Sequence, residues 1–326
     1  MNTIPEALKS AKLPVIAAPM FLVSGPELVI ECCKNGVIGT FPALNERSSE
    51  GFEQWLITIK EALEAHERET GEKPAPYGVN LIVHPTNTRV QQDVELCVKH
   101  KVPLVITSLG AISLLVDAIH SYGGLVFHDI VKKRHAEKAA EAGVDGLILV
   151  SAGAGGHAGT INPMALIKDV KKVFKKTIVV AGAISTGEDI AAVLQMGADM
   201  AYMGTRFINT TESRAQVEYK DMIVNATADK IIHTAAVSGI PANFMQPSLE
   251  AAGIKPEDYK KEGKLDPGLD MDSEAKAWKT IWSAGHGVSA IDDIPSTANL
   301  IARLKSELLS ALEAQQKRYE WLKSIR

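Results

Sequence analysis

One histidine, His157, stands among residues too small to bury it. In LILVSAGAGGHAG (147–159) four apolar residues run into a segment holding four glycines and this imidazole. A buried strand ends near Val150, and the chain then turns with almost no side chain between its backbone and a ligand. Glycine serves where backbone amides must approach a bound group closely or where φ is positive. An imidazole titrates near neutrality, so His157 can move a proton or hold a positive charge. The reading is a site that cradles a ligand and does acid/base or electrostatic work beside it.

Eight short apolar runs supply the frame: PVIAAP (14–19), GVIGTF (36–41), YGVNLIV (77–83), VPLVITS (102–108), LVFHDI (125–130), GLILVS (146–151), TIVVAG (177–182) and MAYMG (200–204). Amphipathic stretches such as FEQWLITIKEALEAHERE and RVQQDVELCVKHK separate them, several ending at Gly or Asn, the usual helix stop. Strands alternating with helices predict a parallel sheet covered by helices. Eight repeats within about 200 residues is the count of a (β/α)8 TIM barrel, whereas an open doubly wound sheet more often uses five or six strands. EAGVDGL and QMGADMA repeat one helix-to-strand turn, to which no chemistry is assigned.

In such barrels reactive groups collect at the carboxyl ends of the strands. The ends of the eight runs give Pro19 and Met20, Asn80, Ser108, His128, Ser151 through His157 (with Gly155 and Gly156), Gly182, and Gly204 with Thr205. Loops after strands seven and eight often hold a phosphate; here Gly182, Ala183, Gly204 and Thr205 offer unobstructed amides and one hydroxyl. Thr186 ahead of Glu188 and Asp189 is a helix start whose dipole favours an anion. Asn80 in a barrel mouth calls for a ligand or a neighbour to satisfy it. His128 divides evenly between a ligand contact and a satisfied core residue, and Met20 between packing and a cofactor platform. His84 reads as a surface residue, and His286 carries no usable pattern.

Composition narrows the function class. A net charge of −4 gives no general reason to bind nucleic acid or an anionic membrane. KDVKKVFKK (168–176) reads as the solvated face of a helix. Three cysteines, Cys32, Cys33 and Cys97, form no CxxC pair and read as buried inert thiols of a cytoplasmic protein. MNTIPEALKSAK lacks the apolar core of a signal peptide, and no run approaches a membrane span of about 20 residues. No HExxH, CxxC or carboxylate triplet points to a metal, and no GxSxG elbow to a serine hydrolase. The expected division is a barrel core over 1–211, an irregular and helical substrate or lid region over 212–294, and a C-terminal helix over 295–326 packing back on the barrel. Within the middle region 212–232 reads as helical and 233–272 as irregular.

Read together, VIAAPM (15–20), YGVNLIV (77–83), GAGGHAG (153–159), AGAISTGEDIAAVLQMGAD (181–199), MGTRF (203–207) and IWSAGHGVSAIDD (281–293) resemble the nitronate monooxygenases, once called 2-nitropropane dioxygenases. The resemblance spans nearly the whole chain, in motif order and spacing. It implies an FMN-dependent TIM barrel with His157 in the place of the catalytic histidine. It implies flavin contacts from Pro19, Met20, Asn80, His128, Ser151, Gly155, Gly156, Ala181, Gly182, Ala183, Gly204 and Thr205. The implied reaction takes an alkyl nitronate, such as propionate 3-nitronate, and O2 to a carbonyl product and nitrite. A small-molecule substrate is thus the expected partner, and a homodimer is compatible with the family. The chain departs from the family at Asp129, where members often carry a lysine or similar polar group just after the fifth strand. Trp282 and Phe21 are the residues offered as shaping the pocket.

Three alternatives stay open at this level. A related FMN-dependent enoyl-acyl-carrier-protein reductase would use NAD(P)H and bind an acyl chain; IWSAGHGVSAIDD weighs against it. A phosphosugar isomerase or lyase on the same barrel would share the phosphate site but be colourless. A flavin-binding protein without turnover would not need His157. The imidazole itself has two possible jobs, holding an anionic nitronate or removing an α-proton from a neutral nitroalkane.

Overall fold

All eight apolar runs become parallel strands of one closed barrel in the computed structural model, which describes residues 3–84, 87–108, 113–237, 239–259 and 280–325. Its strands are β1 (Val15–Ala17), β2 (Ile38–Pro42), β3 (Gly78–Ile82), β4 (Leu104–Ser108), β5 (Leu125–Ile130) and β6 (Gly146–Val150). A short β7 (Gly156–His157) follows outside the barrel, then β8 (Thr177–Ala181) and β9 (Met200–Met203) complete the ring by pairing with each other and with β1. Two further strands, β10 (Ile231–Thr234) and β11 (Ala242–Met245), join β7 in a separate antiparallel sheet.

The strands read as continuous apolar runs because both faces are buried. Val79, Val105, Val126, Leu147 and Leu149 point outward under the helices, while Ile106, Phe127, Ile148, Val179 and Met200 fill the interior. Leu8, from a 3-10 turn at Glu6–Leu8, joins the interior cluster.

The covering helices are α1 (Pro26–Lys34), α2 (Ser49–Thr70), α3 (Val90–His100), α4 (Ser113–His120), α5 (Lys133–Glu141), α6 (Pro163–Val173) and α7 (Gly187–Met196). Smaller helices α8 (Thr205–Ile208), α9 (Val217–Val224) and α10 (Gln246–Ala251) precede the long α11 (Thr297–Ser324). α7 starts as its sequence predicts: Thr186 and Asp189 form a reciprocal capping box. α11 packs between α7 and α1, the place of the barrel's eighth helix. The approach is close, since a Cβ on Gly187 would lie 2.2 Å from the Leu308 backbone nitrogen. Residues 205–296 therefore lie, in the chain, between the eighth barrel strand and the helix that closes the outer ring.

The repeated turn has a structural job. Asp145 accepts from the Val126 N–H (2.9 Å) and Asp199 from the Ile178 N–H (2.8 Å), each tying its strand to the one before. Lys168, Lys171, Lys172, Lys175 and Lys176 lie exposed on and beyond α6. The three thiols are buried and free. Burial pushes the Cys33 thiol up to about 12 and raises those of Cys32 and Cys97 as well.

The region after the barrel strands differs from its expected description. Of 212–232 only α9 is α-helical, and Ile231–Thr234 and Ala242–Met245 are paired strands instead of irregular chain. Four-residue strands leave too few positions for alternation to show, and one partner, β7, lies far back in the sequence. Residues 260–272, part of the expected irregular stretch, lie outside the described residues.

Candidate active site

Alternation along each strand decides which side chains enter the barrel mouth. On β5 Phe127 points inward, so Asp129 does too, whereas Val126, His128 and Ile130 point out toward the helices. On β3 and β4 the inward set includes Asn80 and Ser108, and on β9 Tyr202. The polar lining is connected: Asn80 Nδ2 donates to Ser108 Oγ (3.0 Å), and Ser108 Oγ donates to Asp129 Oδ2 (2.6 Å). Asp129 Oδ1 and the Tyr202 hydroxyl are sealed from solvent with no hydrogen-bond partner among the described residues. Burial pushes the Asp129 carboxyl up to about 6, against the lowering effect of the Ser108 hydrogen bond.

This corrects the expectation for His128. Its imidazole leaves the lumen, and Nδ1 shares a 2.8 Å hydrogen bond with Thr107 Oγ1, itself outward-facing. Burial lowers its pKa to about 4, so the ring is neutral near pH 7. It is a satisfied residue of the strand–helix layer. Asp129, which the sequence placed after the strand, lies within it and occupies the inward position.

The loops after β6 and β8 are zipped together. Ser151 Oγ donates to Ala181 O (2.5 Å), and the Ala183 N–H donates to Gly153 O (3.2 Å). Ala183 takes a positive φ of 54° without being glycine, and its amide is engaged within the protein. Gly182 has φ 131°, and a Cβ there would meet Ser151 Oγ at 2.6 Å. Gly182 is thus fixed by its neighbours.

A segment from late in the chain explains other glycines. Residues 284–287 lie against the 153–155 and 182–185 loops. A Cβ on Gly285 would meet Gly153 O at 2.5 Å, and one on Gly155 would meet Gly285 N at 3.0 Å. A Cβ on Gly287 would reach Ser185 Oγ at 2.4 Å. The His286 N–H adds a 2.9 Å hydrogen bond to Gly153 O, which gives His286 a place in the site through its backbone. Gly155 therefore serves backbone-to-backbone packing. Gly156, at φ 70°, has open space where a Cβ would stand.

Thr205 Oγ1 accepts from the Gly285 N–H (2.9 Å), leaving the hydroxyl hydrogen to donate elsewhere. At Gly204 a Cβ would make ordinary contact with Ala18 Cβ at 3.7 Å and Met20 Sδ at 3.8 Å, so the position is packed but not clashing. Met20 packs between the barrel core and the cluster around Val288. Its loop is held by Asn45, whose Nδ2 donates to Met20 O (2.9 Å) and Ser24 O (2.8 Å). Pro19 precedes it, half-buried.

His157 lies half-buried in β7, where it pairs with Ala242 of β11. The sheet is anchored by residues that sequence reasoning missed. Asn243 Nδ2 donates to Ala154 O (2.6 Å), and Ser283 Oγ both donates to Asn243 O and accepts from the Gly156 N–H, each at 2.6 Å. Trp282 stacks on Tyr219, centroids 5.1 Å apart and planes within 9°, so it builds the wall behind this sheet. Only polar residues flanked by strand formers, in PANFM and IWSAG, hint at these anchors.

Beneath MGTRF, Arg206 is buried to 1% exposure and pairs with Asp293 at 3.0 Å. Among the described residues no group of three or more His, Cys, Asp or Glu side chains is placed to hold a metal. No described helix is long and apolar enough to cross a membrane.

Comparison with known proteins adds to this geometry. The family model described as Nitronate monooxygenase matches residues 3–307. A nitronate monooxygenase of Paraburkholderia phytofirmans is 25% identical over 351 aligned residues, covering 92% of this chain and 93% of that protein. Among solved structures, a nitroalkane oxidase of Streptomyces ansochromogenes superposes with a TM-score of 0.78 at 23% identity, covering 95% of this chain and all of that one. FabK of Thermotoga maritima gives 0.77 at 22% identity, covering 96% of this chain and 97% of its own. Both structural likenesses show the shared barrel fold.

Proposed function

Because this chain belongs to the nitronate monooxygenase family, we propose that it is an FMN-dependent oxidoreductase taking alkyl nitronates, such as propionate 3-nitronate, and O2 to carbonyl products and nitrite. One observation carries the reading. The 153–157 loop, the Gly182–Ala183 turn, the Gly204–Thr205 turn and the 284–287 segment, far apart in sequence, meet at the carboxyl end of one barrel.

The residues present fit the cofactor. Backbone at Gly182 and Gly204 and the Thr205 hydroxyl hydrogen would hold the phosphate. The ring would cover the mouth above Asn80, Ser108, Asp129 and Tyr202, two of which have an orphaned polar atom there. FMN supplies the electron-accepting chemistry when bound, and the protein supplies position and charge. A nitronate arrives already deprotonated, so it needs no base. On that substrate His157 would serve as a polar partner for the nitronate oxygens; on a neutral nitroalkane the same ring would take the α-proton. The β7–β11 pairing and the Ser283 and Asn243 hydrogen bonds hold its backbone in place.

The test is steady-state turnover. Propionate 3-nitronate is expected to drive O2 uptake with nitrite release, and His157→Ala to slow it by about 10²- to 10⁴-fold while FMN stays bound. Rapid NAD(P)H oxidation with a crotonyl thioester, without nitronate-dependent O2 uptake, would assign the reductase activity instead. Unchanged turnover in His157→Ala would remove the histidine from the chemistry.

A further inference from the structure

Asp129 is a carboxyl with one oxygen held and the other enclosed without a partner among the described residues. Ser108 fixes Oδ2 at 2.6 Å, and Asn80 fixes Ser108 in turn, so the group cannot swing to find another partner without breaking that chain. Oδ1 is buried and makes no hydrogen bond among the described residues. Tyr202 OH, buried and orphaned too, is near enough to feel the Asp129 charge. Ala18, Val150 and Ala181, which share the interior cluster, are apolar and carry no charge. Buried polar atoms normally find partners, so two orphans in one lumen mark a place where a bound group completes the set. A carboxylate there also brings negative charge with no cation beside it among those lining residues.

We propose that Asp129 sets the redox preference of the bound flavin: its carboxylate, fixed at an inward position of β5 below the barrel mouth, disfavours the reduced, negatively charged form relative to the oxidised one. This rests on the FMN reading above and deepens it. Two-electron reduction with uptake of one proton leaves the ring with one added negative charge. A fixed carboxylate opposes that charge, and an amide of the same shape does not. Tyr202, neutral in both states, contributes a hydrogen bond without that bias.

The experiment is an anaerobic redox titration at pH 8 of the FMN-loaded wild type, Asp129→Asn and Tyr202→Phe, with dithionite as reductant and a reference dye. FMN affinity is measured alongside by fluorescence quenching. Asp129→Asn is expected to raise the affinity for reduced over oxidised FMN about tenfold, a rise in potential of about 30 mV for this two-electron couple. Tyr202→Phe is expected to change that ratio less than threefold. The inference is overturned when Asp129→Asn changes the ratio less than threefold or lowers it, or when both variants raise it equally. A wild type that takes up no FMN overturns this inference together with the cofactor reading. Tight FMN binding with an unmoved ratio overturns this inference alone.

Discussion

Replacing Asp129 by Asn should make the FMN-free protein more stable at neutral pH and leave it unchanged in acid. Burial raises this carboxyl from an ordinary 3.8 to about 6. Each pH unit of that gap is worth about 1.4 kcal/mol, so holding the ionised form in the folded barrel costs at most about 3 kcal/mol. Below about pH 4 the group is protonated whether the chain is folded or unfolded, and the cost is absent. It grows as pH rises from 4 to 6 and is complete above about 6, because the folded state then gives up a proton that it holds more tightly than the unfolded chain. Asn keeps the shape and accepts the Ser108 hydrogen bond, but never ionises. Urea unfolding of both apo proteins across pH 4–8 measures the difference. The expected advantage of the variant climbs from near zero at pH 4 to about 1–3 kcal/mol at pH 8. A pH-independent difference, or a less stable variant at pH 8, would refute the assignment of a buried, unpaired carboxyl.

Other consequences follow from packing. Gly285→Ala drives a Cβ into Gly153 O at 2.5 Å; thermal unfolding should show a loss of about 1–3 kcal/mol, the cost of overpacking, and FMN affinity should fall with it. Arg206 is fully buried while Asp293 keeps a two-pronged pairing with Arg303 at 2.8 and 3.1 Å. Arg206→Ala should therefore cost about 2–5 kcal/mol through the cavity it leaves, and Arg206→Met less than about 1.5 kcal/mol; equal losses in calorimetry would show that the charge, not the volume, is what matters. Cys32, Cys33 and Cys97 should resist a thiol reagent in the native protein and react together only on unfolding, since burial raises all three thiols.

The barrel was legible because parallel strands buried on both faces leave a strong apolar signal, and all eight runs became strands. The α7 start was legible for the same local reason, a capping box written in four consecutive residues. What stayed hidden depends on register or on distant partners. Whether His128 or Asp129 enters the lumen is a one-residue question of phase, and apolar content cannot decide it in a run buried on both faces. Gly155 reads in the sequence as a ligand contact, but it packs against the backbone of Gly285, a relation no local window contains. β7, β10 and β11 are short, and their pairing joins segments separated by most of the barrel's second half. Asn45 and Asn243 act through hydrogen bonds to loop carbonyls that sequence alone does not place.

The central claim is tested most directly by the visible spectrum of the purified or FMN-titrated protein before and after anaerobic addition of propionate 3-nitronate. A flavin absorption that bleaches with the nitronate and returns on admitting O2, with nitrite released, is the predicted result. A colourless protein that refuses FMN in titration, or a bound flavin that nitronate leaves fully oxidised, would contradict it.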